Sequence, residues 1–213
     1  MELILVRHAE TTSNVSRAID TAHPGADLTD LGARQAADVA SYLAGTSVGA
    51  MYVSPRLRTR RTAEPLAAAL GLEPELRDGL VEISAGDWEM STSEERRSEY
   101  ATTVAAWLTG DVSARIPGGE QPDSVFARFD AVVDEALASG HERVLVVSHG
   151  AVLRAWCGAR VQGLNPESLR ERPLRNTAVI RIERAGERWR LLEWDARDVP
   201  GPPAPLAEDP GAQ

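Results

Sequence analysis

Leu3-Ile4-Leu5-Val6 runs directly into Arg7-His8, and Val144-Leu145-Val146-Val147 runs directly into Ser148-His149-Gly150. Four consecutive apolar residues of this kind read as a strand covered on both faces, the habit of a parallel sheet with helices on either side. Met51-Tyr52-Val53 is a shorter run that ends at Ser54-Pro55-Arg56-Leu57-Arg58. Helical periodicity lies between and after these runs. Leu31, Ala36, Val39, Ala40 and Leu43 fall on one face of a segment that Thr29 can cap. Further helices are expected over 57–70, stopped by Gly71, over 123–138, stopped by Gly140, and over 151–161. Residues 178–183 and 189–194 alternate enough for two late strands joined at Ala185-Gly186. Strands alternating with helices predict an α/β fold of three layers, α/β/α, around a mostly parallel central sheet.

Residues 91–117 break that rhythm, first polar and then amphipathic, and predict a short helical insertion that covers a site. The chain of 213 residues is expected to form a single domain over 1–198. Residues 199–213, rich in Pro, Gly and acid, predict a disordered tail. The formal net charge of −9 argues against a nucleic-acid binder, since no basic field is available for a phosphate backbone. A local arginine cluster can still hold a small anion against a negative average. Cys157 is the only cysteine, so no disulfide and no cysteine metal cluster can form within the chain. No apolar run approaches the roughly 20 residues that span a bilayer. With no secretory leader in MELILVRHAE, the expectation is a cytoplasmic protein without a membrane contact.

Ligands in open α/β sheets bind beyond the carboxyl ends of the strands. Here three strand ends carry His8, His149 and the arginines Arg7 and Arg58. One histidine at a strand end is usually structural. Two histidines with two arginines at equivalent ends point to an anion site, because clustered positive charge is costly unless an anion neutralises it. The planar guanidinium fork suits phosphate oxygens. A zinc site is the weaker reading: no HExxH or His-x-His spacing occurs, and the arginines would repel a cation. Arg56, Arg60 and Arg61 read as solvated helix charges, His23 and His141 as bystanders, and the tryptophans at 88, 107, 156, 189 and 194 as packing residues.

Arg7-His8-Ala9-Glu10-Thr11-Thr12-Ser13-Asn14 resembles the RHGE-type signature of the histidine phosphatase superfamily, the phosphoglycerate mutase-like proteins. SPRLRTRRTA at 54–63, LVEISAGDWE at 80–89, PGGE at 117–120, VSHGAVLR at 147–154 and Asn176-Thr177 follow in the family's order. The resemblance implies that His8 is the nucleophile that becomes phosphohistidine. It implies that Arg7 and Arg58 clamp the phosphoryl oxygens, and that His149 touches the same group. Glu82 would protonate the leaving oxygen, and Asn14 would contact the phosphate. No cofactor and no metal are expected, and the partner would be a small phosphorylated metabolite. The oligomeric state, monomer or homodimer, stays open.

The sequence departs from the family pattern in three places. Ala9 stands where a glycine usually follows the nucleophile, and Met90 stands where a glycine usually follows Trp-Glu. The stretch RAIDTAHPG at 17–25 replaces one that carries a substrate-contacting glutamine, leaving Asp20 or Thr21 in its neighbourhood, with Thr21 as a substrate contact. Three functions are compatible with these residues. Hydrolysis of small phosphomonoesters is favoured by an insertion short enough to let water reach the intermediate. A cofactor-dependent phosphoglycerate mutase is the alternative, and a catalytically inactive phospholigand- or protein-binding module is the third.

Overall fold

The computed structural model describes residues 1–170, 172 and 174–195. The expected tail at 199–213 lies outside them. The first strand, β1 (Glu2–Arg7), pairs in parallel with β4 (Arg143–Ser148), which pairs in parallel with β2 (Ala50–Val53). A short β3 (Pro74–Leu76) extends that parallel half. On the other side of β1, β6 (Val179–Ala185) runs antiparallel and forms a hairpin with β7 (Arg188–Asp195). The two-residue β5 (Val161–Gln162) completes a seven-stranded order, β3-β2-β4-β1-β6-β7-β5. The sheet is mixed, with four parallel pairings and two antiparallel ones.

Alternate side chains of one strand enter opposite layers. Ile4, Val6, Met51, Val53, Leu145 and Val147 meet Val39, Ala40 and Leu43 of α2 (Asp30–Leu43) and Ala63 and Leu66 of α3 (Leu57–Leu70). Leu3, Leu5, Tyr52, Val144 and Val146 face the other way. There they pack with Val104 and Trp107 of α4 (Glu94–Leu108), Val125 and Phe129 of α5 (Pro122–Ala138), and Trp156 of α6 (Gly150–Arg160). Each fully buried Val, Leu, Ile or Phe is worth about 1.5–3 kcal/mol over an exposed one, so both layers are needed to hold the sheet. The three-layer α/β/α expectation holds. Trp88, Trp107, Trp156 and Trp189 are buried, as packing residues should be.

Element ends differ from the sequence reading for local reasons. The helix expected from 123 starts at Pro122, whose missing N–H costs nothing at the first helical position. The helix expected to reach 161 stops at Arg160, because Val161 pairs with Trp189. The insertion at 91–117 contains α4, capped by Ser93, whose side chain accepts from the Arg96 amide. Two five-residue helices were not expected, α1 (Thr12–Ser16) and α7 (Pro166–Arg170). No described helix is long and apolar enough to cross a membrane.

The register fixes the site. Arg7 stands opposite Ser148 and Val53 opposite Val147. The ladder continues one step further, with His8 N donating to Ser148 O at 3.0 Å and Ser54 N donating to Val147 O at 3.0 Å. His8, Ser54 and His149 therefore leave one sheet edge together.

Candidate active site

A cavity of about 190 Å³ opens at that edge, lined among others by Arg7, His8, Asn14, Asp20, Arg58 and Glu82. The two histidine rings lie 5.3 Å apart, edge to face. His8 is nearly buried, and its Nδ1 lies 2.8 Å from the carbonyl of Ala9. A carbonyl only accepts, so Nδ1 carries the hydrogen and Nε2 keeps its lone pair. Burial is the main cause that pushes the His8 imidazolium well below its usual range, and Arg58 and Arg7 add to it. The ring is neutral and lines the cavity.

His149 is placed differently from the sequence expectation. It is fully buried and does not line the cavity. Its Nδ1 accepts from Arg58 Nε at 3.1 Å, so the hydrogen sits on Nε2, which meets Ser54 Oγ at 2.7 Å. Both ring nitrogens are thus committed to protein groups, and no ring nitrogen is left to touch a phosphoryl group in this arrangement. Burial, then Arg58, depresses its imidazolium as well. The ring backs Arg58 and packs on His8.

Arg58 is buried and held from two sides. Beyond His149, its Nη2 donates to the Asp20 carbonyl at 2.9 Å and its Nη1 reaches Asp20 Oδ1 at 3.4 Å. The other Asp20 oxygen accepts from Ser13 Oγ and from the Ala26 amide, both at 2.8 Å. Gly25, at φ +77°, leaves room here: a Cβ on it would stand 2.3 Å from Arg58 Nη1. Arg7 donates from Nη1 to the Leu174 carbonyl at 2.7 Å. Burial lowers both guanidinium groups from their ordinary values, while Glu82 opposes this in each case. Both remain cations.

Glu82 sits at the start of α6. Its Oε1 accepts from the amides of Ile83 (2.9 Å) and Val152 (2.8 Å), and its Oε2 from Ala151 (3.0 Å). Glu82 lines the cavity, and its Oε2 accepts that one amide alone among the described residues. Asn14 closes a capping box with Thr11, and its Oδ1 also accepts from Asn176 Nδ2 at 3.1 Å. With Oδ1 pinned twice, the Asn14 amide nitrogen is the group left for a ligand.

Thr21 lines the cavity, but its hydroxyl is spent. It donates to Glu89 Oε2 and accepts from the Ala85 amide at 3.0 Å. Glu89 also takes the Thr21 and Ala22 amides, which ties the loop at 17–25 to the segment at 85–90. Thr21 is an anchor of that loop, in contrast to the substrate contact expected of it. Arg56 is likewise not simply solvated, since its Nε donates to the Thr21 carbonyl at 3.1 Å. His23 and His141 are exposed and away from the cavity. Among the described residues no group of three or more His, Cys, Asp or Glu could hold a metal ion.

Sequence reasoning missed Asn176, Ser54, Glu89, Arg97 and Tyr100. Asn176 stands in the Asn176-Thr177 motif, and its Nδ2 donates to the His8 carbonyl at 3.0 Å and so fixes the His8 backbone. Arg97 and Tyr100 reach the cavity from α4 at a spacing of three residues, a signal present in the insertion but not decisive there.

Residues 3–197 match the family described as the histidine phosphatase superfamily, branch 1. The chain is 32% identical over 196 residues to the "Probable phosphoglycerate mutase GpmB" of Photorhabdus laumondii, covering 91% of this chain and 90% of that one. It is 31% identical over 218 residues to the PE-PGRS family protein PE_PGRS11 of Mycobacterium tuberculosis, covering 94% of this chain but spanning only 37% of that relative's length. Among solved structures, phosphoserine phosphatase from Entamoeba histolytica in complex with 3-phosphoglyceric acid superposes with a TM-score of 0.77 at 25% identity, over 92% of this chain and 98% of that one. The chain belongs to the histidine phosphatase superfamily and is an enzyme of the phosphatase class.

Proposed function

We propose that this enzyme hydrolyses small phosphomonoesters in two steps through a phosphohistidine on His8. The observation that carries the reading is the 2.8 Å contact of His8 Nδ1 with Ala9 O, which leaves Nε2 as the unprotonated nitrogen of a ring that lines a cavity with two guanidinium groups. Arg7, Arg58 and the Asn14 amide nitrogen take the phosphoryl oxygens. His8 Nε2 attacks phosphorus as the bond to the leaving oxygen breaks, and Glu82 Oε2 delivers a proton to that oxygen. A water then attacks the phosphohistidine, returns its proton to Glu82, and releases inorganic phosphate with His8 restored. Charge on the equatorial oxygens of this transition state is met by fixed cations and donors, the main source of acceleration in phosphoryl transfer. Asp20 and His149 act one step removed, holding Arg58 in place.

The identity to a protein named as a probable phosphoglycerate mutase supports a second reading, in which the group returns to a phosphoglycerate. Two assays separate them. Release of inorganic phosphate from p-nitrophenyl phosphate and from small sugar or amino-acid phosphates, without interconversion of 2- and 3-phosphoglycerate, is the expected result. Interconversion at a rate well above phosphate release would replace the hydrolase with the mutase. Binding of phosphate esters with no turnover on either assay would leave an inactive phospholigand-binding module.

A further inference from the structure

Two buried side-chain nitrogens have no hydrogen-bond partner among the described residues, Arg7 Nε and Arg97 Nε, and both side chains line the catalytic cavity. Arg7 belongs to the phosphoryl clamp. Arg97 comes from α4, and nothing in the mechanism uses it. Its neighbour Arg96 is occupied, pairing with Glu99 at 2.8 Å and lying over the Trp88 ring.

The helix that carries Arg97 is fixed in register. Tyr100, three residues on and lining the same cavity, donates its hydroxyl to Ile83 O at 2.7 Å. Burial, with Glu82 next, raises the Tyr100 phenol well above its usual range, so it stays a neutral donor. The carboxylates that could have paired with Arg97 are taken: Glu82 by three amides, Asp20 by Arg58, Ser13 and Ala26. Arg97 is only half-buried, but its Nε is shut off from water without an acceptor, and such an idle donor is unfavourable until an acceptor arrives. The phosphoryl oxygens already have Arg7, Arg58 and Asn14.

We infer that Arg97 binds a carboxylate on the substrate, so that the preferred substrates are phosphomonoesters carrying a carboxylate a few bonds from the phosphoryl group. This rests on the hydrolase proposed above. A carboxylate fits better than a second phosphate, because one guanidinium fork matches its two oxygens.

Matched substrates test the inference: phosphoserine against O-phosphoethanolamine, and 3-phosphoglycerate against glycerol 1-phosphate, each pair differing at the carboxylate. The expected kcat/KM preference is about tenfold or more for the carboxylated member, carried mainly by KM, the scale of one hydrogen-bonded charge pair. Arg97→Gln should bring the ratio close to one, and Arg97→Lys should keep part of it. A wild-type ratio near one, or a ratio that Arg97→Gln leaves intact, overturns the inference while phosphate release from p-nitrophenyl phosphate keeps the hydrolase. Failure to release phosphate from any ester overturns both.

Discussion

The wall of the cavity built from strand ends and the wall contributed by α4 are organised on different terms. At the strand ends, His8, His149, Arg58 and Glu82 are each tied by at least one short bond to backbone or to a buried side chain. On α4, Tyr100 provides one tie, and Arg97 has an idle donor. The strand-end wall is the more fully tied of the two, although Arg7 there also keeps an idle Nε, and under the proposed function it is the wall preorganised for a phosphoryl group while α4 meets the rest of the substrate. Preorganised groups cost no rearrangement at the moment of reaction.

The sharpest way to break the first wall is to remove Arg58. Arg58→Ala takes one clamp from the phosphoryl group and leaves the Asp20 carboxylate and His149 Nδ1 buried without that partner. The expected outcome is a fall in kcat/KM of about 10²–10³. Unfolding in denaturant should show a loss of about 3 kcal/mol, since removing one member of a buried pair strands the other.

A second test uses pH. Both active-site imidazoles are held well below their usual range, chiefly by burial. In the unfolded chain each takes up a proton near pH 6.5, while in the folded protein it does not. Their contribution to stability is therefore full above pH 6.5 and is lost as pH falls below that value toward the folded pKa. The expected slope is up to about 1.4 kcal/mol per pH unit for each histidine. Denaturant unfolding at pH 7.5 and 5.5 measures it, and equal stability at the two would show that the rings are not buried neutral.

Gly150→Ala tests the placement of Arg7 alone. A Cβ there would stand 3.1 Å from Arg7 Nε, so the guanidinium must shift by a few tenths of an ångström. Because a misplacement near 1 Å can cost about 10²-fold, a loss of about tenfold in kcat is expected. Helix propensity at the start of α6 improves by up to about 1 kcal/mol, so the melting temperature should not fall with the activity.

The smallest effect lies outside both walls. Met90 stands where the family usually has glycine and adopts φ 58° with its side chain largely exposed. Met90→Gly should relieve about 1 kcal/mol of left-handed strain, partly offset by the freedom glycine gains in the unfolded chain. A small rise in melting temperature with unchanged kcat is expected.

The same contrast separates what was legible in the sequence from what was not. The apolar runs before His8 and before His149 disclosed the strands, and with them the meeting of those residues at one edge, because such runs have few other uses. β3 leaves no mark in the sequence, because its three residues are exposed and begin with Pro74, so no apolar pattern sets them apart. α1 is held by the Thr11–Asn14 capping box more than by apolar periodicity. The roles of Thr21, Asp20 and His149 could not be read, since they depend on how the loop at 17–25 folds back onto Arg58 and Glu89. Ala9, at a position where glycine was expected, is fully buried and donates its amide to Thr62 Oγ1 at 3.0 Å; its carbonyl is the one that orients His8.

Trapping the covalent intermediate tests the central claim most directly. After rapid quenching of the enzyme with a labelled phosphate ester, the label should be acid-labile and base-stable, map to the peptide containing His8, and vanish in His8→Ala. Label carried equally by His8→Ala, or located on another residue, would show that the free Nε2 of His8 is not the nucleophile.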